Sequence, residues 1–192
     1  MDRLQACAAA FQRLLPVEYF IVIARKRKAV ELRIRFTEHD LHHLLGLGKL
    51  KDLRIATMKR QKAFQAMLAG AVDEAFVRQS RYYHLIENRL APLTALESLL
   101  DDNRLVFRYN EKLYPYSLIK ADYLLTTPFQ QNDVFIFLSQ HETMTHYFCR
   151  SFFPKEKVDF SKGQPRYTML YKEKIDRATG EKVVQYDRGV WS

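Results

Sequence analysis

The sequence predicts an α+β fold, an antiparallel β-sheet with an N-terminal helix and a helical insertion packed on it. Three observations lead there. Apolar and charged residues alternate at period two in several short runs, most cleanly where Val30, Leu32, Ile34 and Phe36 interleave with Glu31, Arg33 and Arg35. Residues 134–138 are apolar without a break, as a central strand requires. Between these strand signals, residues of about 57–100 carry their apolar side chains at helical spacing. No repeat, low-complexity tract or linker divides the chain, so residues 1–192 read as a single domain with the helices inserted at about 57–100.

Taken in order, residues 2–15 set Leu4, Ala8, Phe11, Leu14 and Leu15 on one helical face that stops at Pro16. Residues 18–24 are apolar at nearly every position, so the strand they form is expected to be covered on both sides. Residues 25–28 make a basic turn, and residues 30–36 return as a strand, giving a hairpin with a basic tip and a basic outer face. In the insertion, Met58, Phe64, Met67 and Leu68 fit a helix ending at Gly70, and Val72, Phe76 and Val77 fit a shorter one. Tyr82, Tyr83, Leu85, Ile86 and Leu90 fit a third, and Pro92 suits the first turn of a fourth through Leu93, Leu96, Leu99 and Leu100. Strand signals then resume at residues 104–109, 117–125 and 134–138. Residues 145–153 alternate, with Tyr147, Cys149, Ser151 and Phe153 on one side and His146, Phe148, Arg150 and Phe152 on the other. Residues 166–175 and 182–187 form a last hairpin, with Gly180 at a left-handed turn position.

The chain is 47% hydrophobic and 13% aromatic, enough for a real core. A net charge of +9 points to a polyanionic partner, nucleic acid before an anionic membrane surface. Cys7 and Cys149 form no pair motif, as expected of buried thiols in a reducing compartment. Asp2, Arg3, Gln12 and Arg13 interrupt the first stretch, which does not make a signal peptide, and no apolar run reaches the roughly 20 residues of a membrane span. The expected location is the cytoplasm, with no membrane partner.

The densest chemistry lies in residues 36–53, FTEHDLHHLLGLGKLKDL. Thr37 and Asp40 make a capping-box-like start, Leu41, Leu44 and Leu45 an apolar stripe, and Gly46 a left-handed stop. On such a helix His39 and His43 lie one turn apart, and Asp40 is within reach of His43 as its orienter. His39 and His43 also have a zinc spacing, but no HExxH and no Cys-x-x-Cys completes a site, so no metal and no cofactor is expected. Gly46-Leu47-Gly48 lacks the third glycine of a phosphate-binding loop, and Ser151 lacks the glycines of a nucleophile elbow.

What remains suits phosphodiester chemistry without a metal. RNA is cut by its own 2′-hydroxyl when one group removes the hydroxyl proton, another protonates the leaving 5′-oxygen and a cation steadies the phosphorane. His43 is the first candidate for acid or base, since imidazole titrates near working pH. Lys49 follows the helix and is placed to meet the phosphate. Lys120, Arg150 and Lys172, each expected on a strand, are the other candidate cations, and Ser151 or Tyr171 is a candidate hydrogen-bond donor.

The run His43-Leu44-Leu45-Gly46-Leu47, followed by Lys49-Leu50, resembles the His-Leu-x-Gly-Leu signature of phage- and mobile-element-associated nucleases of the Barnase–EndoU–colicin–RelE-like superfamily. The likeness extends to the preceding hairpin and to KADYLL at 120–125, CRSFFP at 149–154 and YTMLYKEKI at 167–175. Only His43, Gly46 and Leu47 match the signature directly, and His42 beside it leaves open which ring works. The resemblance implies a metal-independent ribonuclease of toxin or phage-conflict type, with helices packed on an antiparallel sheet. RNA is then the expected partner, and an antitoxin protein the expected neutraliser. The alternative is a non-catalytic nucleic-acid-binding module or an interaction protein of a mobile element, which needs the charge but no acid/base pair.

Overall fold

The computed structural model describes residues 1–189. Helix α1 (Arg3–Leu14) begins where the Asp2 carboxylate accepts the N–H groups of Leu4 (2.7 Å) and Gln5 (3.0 Å), and it buries Leu4, Cys7, Ala8, Phe11 and Leu14. Strands β1 (Val17–Arg25) and β2 (Lys28–Arg35) pair across Lys26 and Arg27, both at positive φ (49° and 62°), so the turn twists with the strands it joins. The outer face of this hairpin is less free than its charges suggest. Arg33 (2.7 Å) and Arg35 both hold the buried carboxylate of Glu18.

Helix α2 (Asp40–Leu45) is followed by the inserted helices α3 (Arg60–Leu68), α4 (Glu74–Arg78), α5 (Glu87–Thr94) and α6 (Leu96–Asp102). Pro92 does not open a helix as expected. It lies in the last turn of α5, and the chain breaks instead at Ala95 (φ −101°, ψ 9°). A proline this close to a helix end forfeits one hydrogen bond and shortens the helix without kinking it.

The strands that follow are β3 (Leu105–Arg108), β4 (Tyr123–Phe129), β5 (Asn132–Gln140), β6 (Tyr147–Pro154), β7 (Arg166–Asp176) and β8 (Lys182–Asp187). The expected strand at 117–125 begins only at Tyr123, which leaves Lys120 in the irregular segment before it. Ile119 and Ala121 do pack against an aromatic cluster on β4 and β5, but residues 117–122 join no strand ladder, and Leu118 is fully exposed.

The expected open antiparallel sheet is corrected by the pairing. The strands run in the order β1-β2-β6-β5-β4-β3-β7, and β1 pairs again with β7, closing a seven-stranded barrel to which β8 is appended along β7. The seam between β2 and β6 is parallel and rests on one bridging pair, Ile34 with Tyr147. Periodicity fixes which side chains share a face and says nothing about which distant strand lies alongside, so closure left no trace in the pattern. The unbroken apolar run of β1 acquires its reason here: β1 has β2 on one edge and β7 on the other, and side chains cover both faces.

Ile21, Ile23, Leu32, Ile34, Leu125, Ile136 and Leu138 join the apolar stripes of α1, α3, α5 and α6 in one core. The other side of β4 and β5 carries a smaller aromatic cluster in which Tyr109, Phe135, Phe137, Phe153 and Phe160 meet edge-on or stacked. Among the described residues, no helix is long and apolar enough to cross a membrane.

Candidate active site

The local fold around His43 begins with Phe36, whose ring meets Phe11 (5.9 Å) and Tyr19 (6.3 Å) edge-on and pins the exit of β2. The Thr37 N–H and hydroxyl then donate to the Asp40 carboxylate at 2.7 and 3.1 Å, while the Asp40 N–H returns to the Thr37 carbonyl (3.0 Å). Asp40 is thus committed to starting the helix and does not orient His43. With Leu41, Leu44 and Leu45 buried, His42 and His43 leave α2 on different sides. His42 is buried, with Nε2 3.0 Å from the Ile55 carbonyl oxygen. His43 is exposed to solvent and lines a cleft.

Gly46 ends α2 at φ 76°, ψ 25°, and a Cβ there would come within 3.3 Å of a guanidinium nitrogen of Arg89. Its turn leads into one 3₁₀ turn (Leu47–Lys49) that brings Lys49 back to the same cleft.

Strand β6 supplies two further residues through a defect in its ladder. Phe137 pairs with Ser151 and Leu138 pairs with Cys149, so Arg150 is an extra residue opposite no partner. This β-bulge breaks the expected alternation. Cys149 and Phe152, three apart, both enter the core, and the adjacent Arg150 and Ser151 both line the cleft.

The cleft has a volume of about 820 Å³. Its positive groups are Lys49, Arg89, Lys120, Arg150 and Lys157, against a single carboxylate, Glu156. Glu156 is bonded to Asn88 at 2.5 Å. The aromatic side chains of Phe153 and Phe160 line the same space. Partial desolvation by the cleft walls comes first, and the charges of Arg60, Arg150 and Arg89 come second, in holding the His43 ring below the ordinary imidazole pKa. Desolvation and Arg89 likewise lower Lys49.

Five of the seven residues singled out from the sequence, His43, Lys49, Lys120, Arg150 and Ser151, therefore share one cleft. Lys172 does not. It is fully buried, and its ammonium donates to the carbonyls of Leu100, Asp101 (3.0 Å) and Asn103 (3.3 Å) at the end of α6. A strand lysine reads as solvated only while its own face is open, and the end of α6 covers the face of β7 that carries Lys172. Tyr171 is elsewhere too, donating to Glu173 at 2.9 Å.

Sequence reasoning missed Arg89. Its guanidinium is buried, donates to the Leu44 carbonyl (3.1 Å) and lies 5.5 Å from the Phe153 ring centre. Its Nε is buried without a hydrogen-bond partner, and no carboxylate pairs with it among the described residues. Burial presses its pKa down to about 10, which still leaves it charged at neutral pH. A signal existed, because Arg89 falls on the Ile86, Leu90, Leu93 stripe where an apolar residue belongs. His84 also lines the cleft, with Nδ1 3.1 Å from the Arg81 carbonyl oxygen. No group of three or more His, Cys, Asp or Glu side chains among the described residues is arranged to hold a metal ion.

Compared with known families, residues 3–189 match the model of PBECR4, described as phage-Barnase-EndoU-ColicinE5/D-RelE like nuclease4. No curated protein and no solved structure matches the chain.

Proposed function

The chain belongs to this nuclease family, and on that premise we propose that it is a metal-independent endoribonuclease with His43 in proton transfer. The observation that carries the reading is the bulge in β6, which turns Arg150 and Ser151 together toward an exposed imidazole in a cleft rich in cations. In the proposed reaction, neutral His43 takes the proton of a ribose 2′-hydroxyl as that oxygen attacks the adjacent phosphorus. Negative charge grows on the non-bridging oxygens of the phosphorane, where Arg150, Lys120, Lys49 and the buried Arg89 stabilise it and Ser151 donates a hydrogen bond. Departure of the 5′-oxygen requires a proton. His84 suits this step, because a Nδ1–H donated to the Arg81 carbonyl leaves Nε2 to carry it. The products are a 2′,3′-cyclic phosphate and a free 5′-hydroxyl.

The phage origin in the family description supports a conflict role, and a protein that covers the cleft is the partner such a role calls for. The test is cleavage of single-stranded RNA in the presence of EDTA, with the new ends analysed. Wild-type protein is expected to leave cyclic phosphate ends and to spare the all-deoxy strand. His43→Ala is expected to lose about 10²–10⁴-fold in rate. Strict dependence on added metal, or full activity of His43→Ala, overturns the mechanism. Salt-sensitive RNA binding without cleavage supports the binding-module alternative.

A further inference from the structure

The cleft does not end at the phosphate-binding cations. Lys120 and Arg150 also line a second hollow of about 480 Å³, together with Asn110, Gln140, His141 and Phe148 and the carboxylates of Glu111 and Asp122. The two hollows therefore adjoin, with Lys120 and Arg150 as their shared wall. In the second hollow the His141 and Phe148 rings are stacked, 4.6 Å apart and inclined by only 18°. His141 is exposed, and neither of its ring nitrogens has a hydrogen-bond partner among the described residues. Phe148 is carried outward on the strand that holds the Arg150 bulge, so aromatic platform and cations stand on one rigid element. The Asn110 amide nitrogen and the Gln140 amide oxygen have no side-chain partners, which leaves a donor and an acceptor at the wall.

We propose that this hollow is a nucleobase subsite for the nucleotide next to the scissile one, with the base extending the His141–Phe148 stack on the far side of the Lys120 and Arg150 that hold the scissile phosphate. The proposal rests on the nuclease reading and narrows it. A base can stack on protein rings only when it is unpaired and turned out of its helix, so the substrate is single-stranded RNA that extends beyond the cleaved dinucleotide. The reader of that neighbour is a ring face flanked by amides, which tolerates every base.

Two measurements test it with the intact protein. The first compares kcat/KM for a dinucleoside monophosphate and for a single-stranded pentanucleotide, in wild type and in His141→Ala and Phe148→Leu. The ratio of pentanucleotide to dinucleotide is expected to fall by about tenfold in both variants, mostly through KM. An unchanged ratio overturns the proposal while leaving the nuclease reading intact. The second uses a pentanucleotide blocked by a 2′-deoxy sugar at the scissile position, with 2-aminopurine placed at each site in turn. Quenching confined to one flanking position, and lost in His141→Ala, is expected whether or not the protein cleaves. Uniform quenching, or none, overturns the subsite.

Discussion

Protonation of the His43 ring is opposed twice, by partial loss of water and by the arginines around it. For a general base this is the useful direction. In the proposed reaction kcat/KM rises with pH as the free enzyme loses the His43 proton, so the rising limb is expected below the ordinary imidazole value. Arg89→Met removes one of the charges responsible. The variant should therefore show a higher His43 pKa by NMR titration and a rising limb moved to higher pH, together with weaker binding of inorganic phosphate. A limb that stays in place would show that Arg89 only caps Leu44. At this scale the sequence was informative where titratable residues crowd together, as His39, Asp40, His42 and His43 do ahead of Leu44 and Leu45. Arg89 was hidden because its neighbours spell an ordinary leucine stripe, and Lys172 misled because a strand lysine looks the same whether its far face is wet or dry.

Single elements were legible where local rules decide them. Gly46 stops α2, and β7 and β8 fold over Gly180 (φ 77°), because capping and turn chemistry act over a few residues. The bulge was not legible, since residues 145–153 alternate acceptably in sequence and only the partner strand reveals the extra residue. The end of α6 offers a measurable consequence. Burial, aided by Arg104, pushes Lys172 down to about 7 against the pull of Asp101 and Asp102. Lysine in the unfolded chain titrates near 10.4. Between about pH 7 and about pH 10 the unfolded chain therefore holds a proton that the folded protein has shed, and stability rises with pH across that window. Urea unfolding midpoints are expected to climb from pH 7 to pH 10 in wild type and to climb less in Lys172→Met. Equal slopes would mean that the carbonyls of Leu100, Asp101 and Asn103 keep the ammonium charged at all these pH values.

For the whole molecule, the α+β content and the single run of inserted helices were readable from periodicity, but the closed barrel was not, because it joins segments far apart in the chain. The closure is uneven. Strand β1 pairs over eight positions with β2 and over eight with β7, whereas β2 and β6 share one bridge. Hydrogen exchange is expected to find the amides at Ile34 and Tyr147 opening well before those of Ile21 and Val22, since a ladder of one rung has little cooperative protection. Matching protection factors across the seam would refute this. The other joint, between β1 and β7, links the earliest strand to one made some 150 residues later. A ribosome adding about 5–20 residues per second needs on the order of ten seconds or more to supply that partner. Until then the nascent chain already carries His43 but has neither a shut barrel nor the Lys157 and Phe160 wall, so the proposed RNA-cutting cleft stays unfinished while its own message is being read.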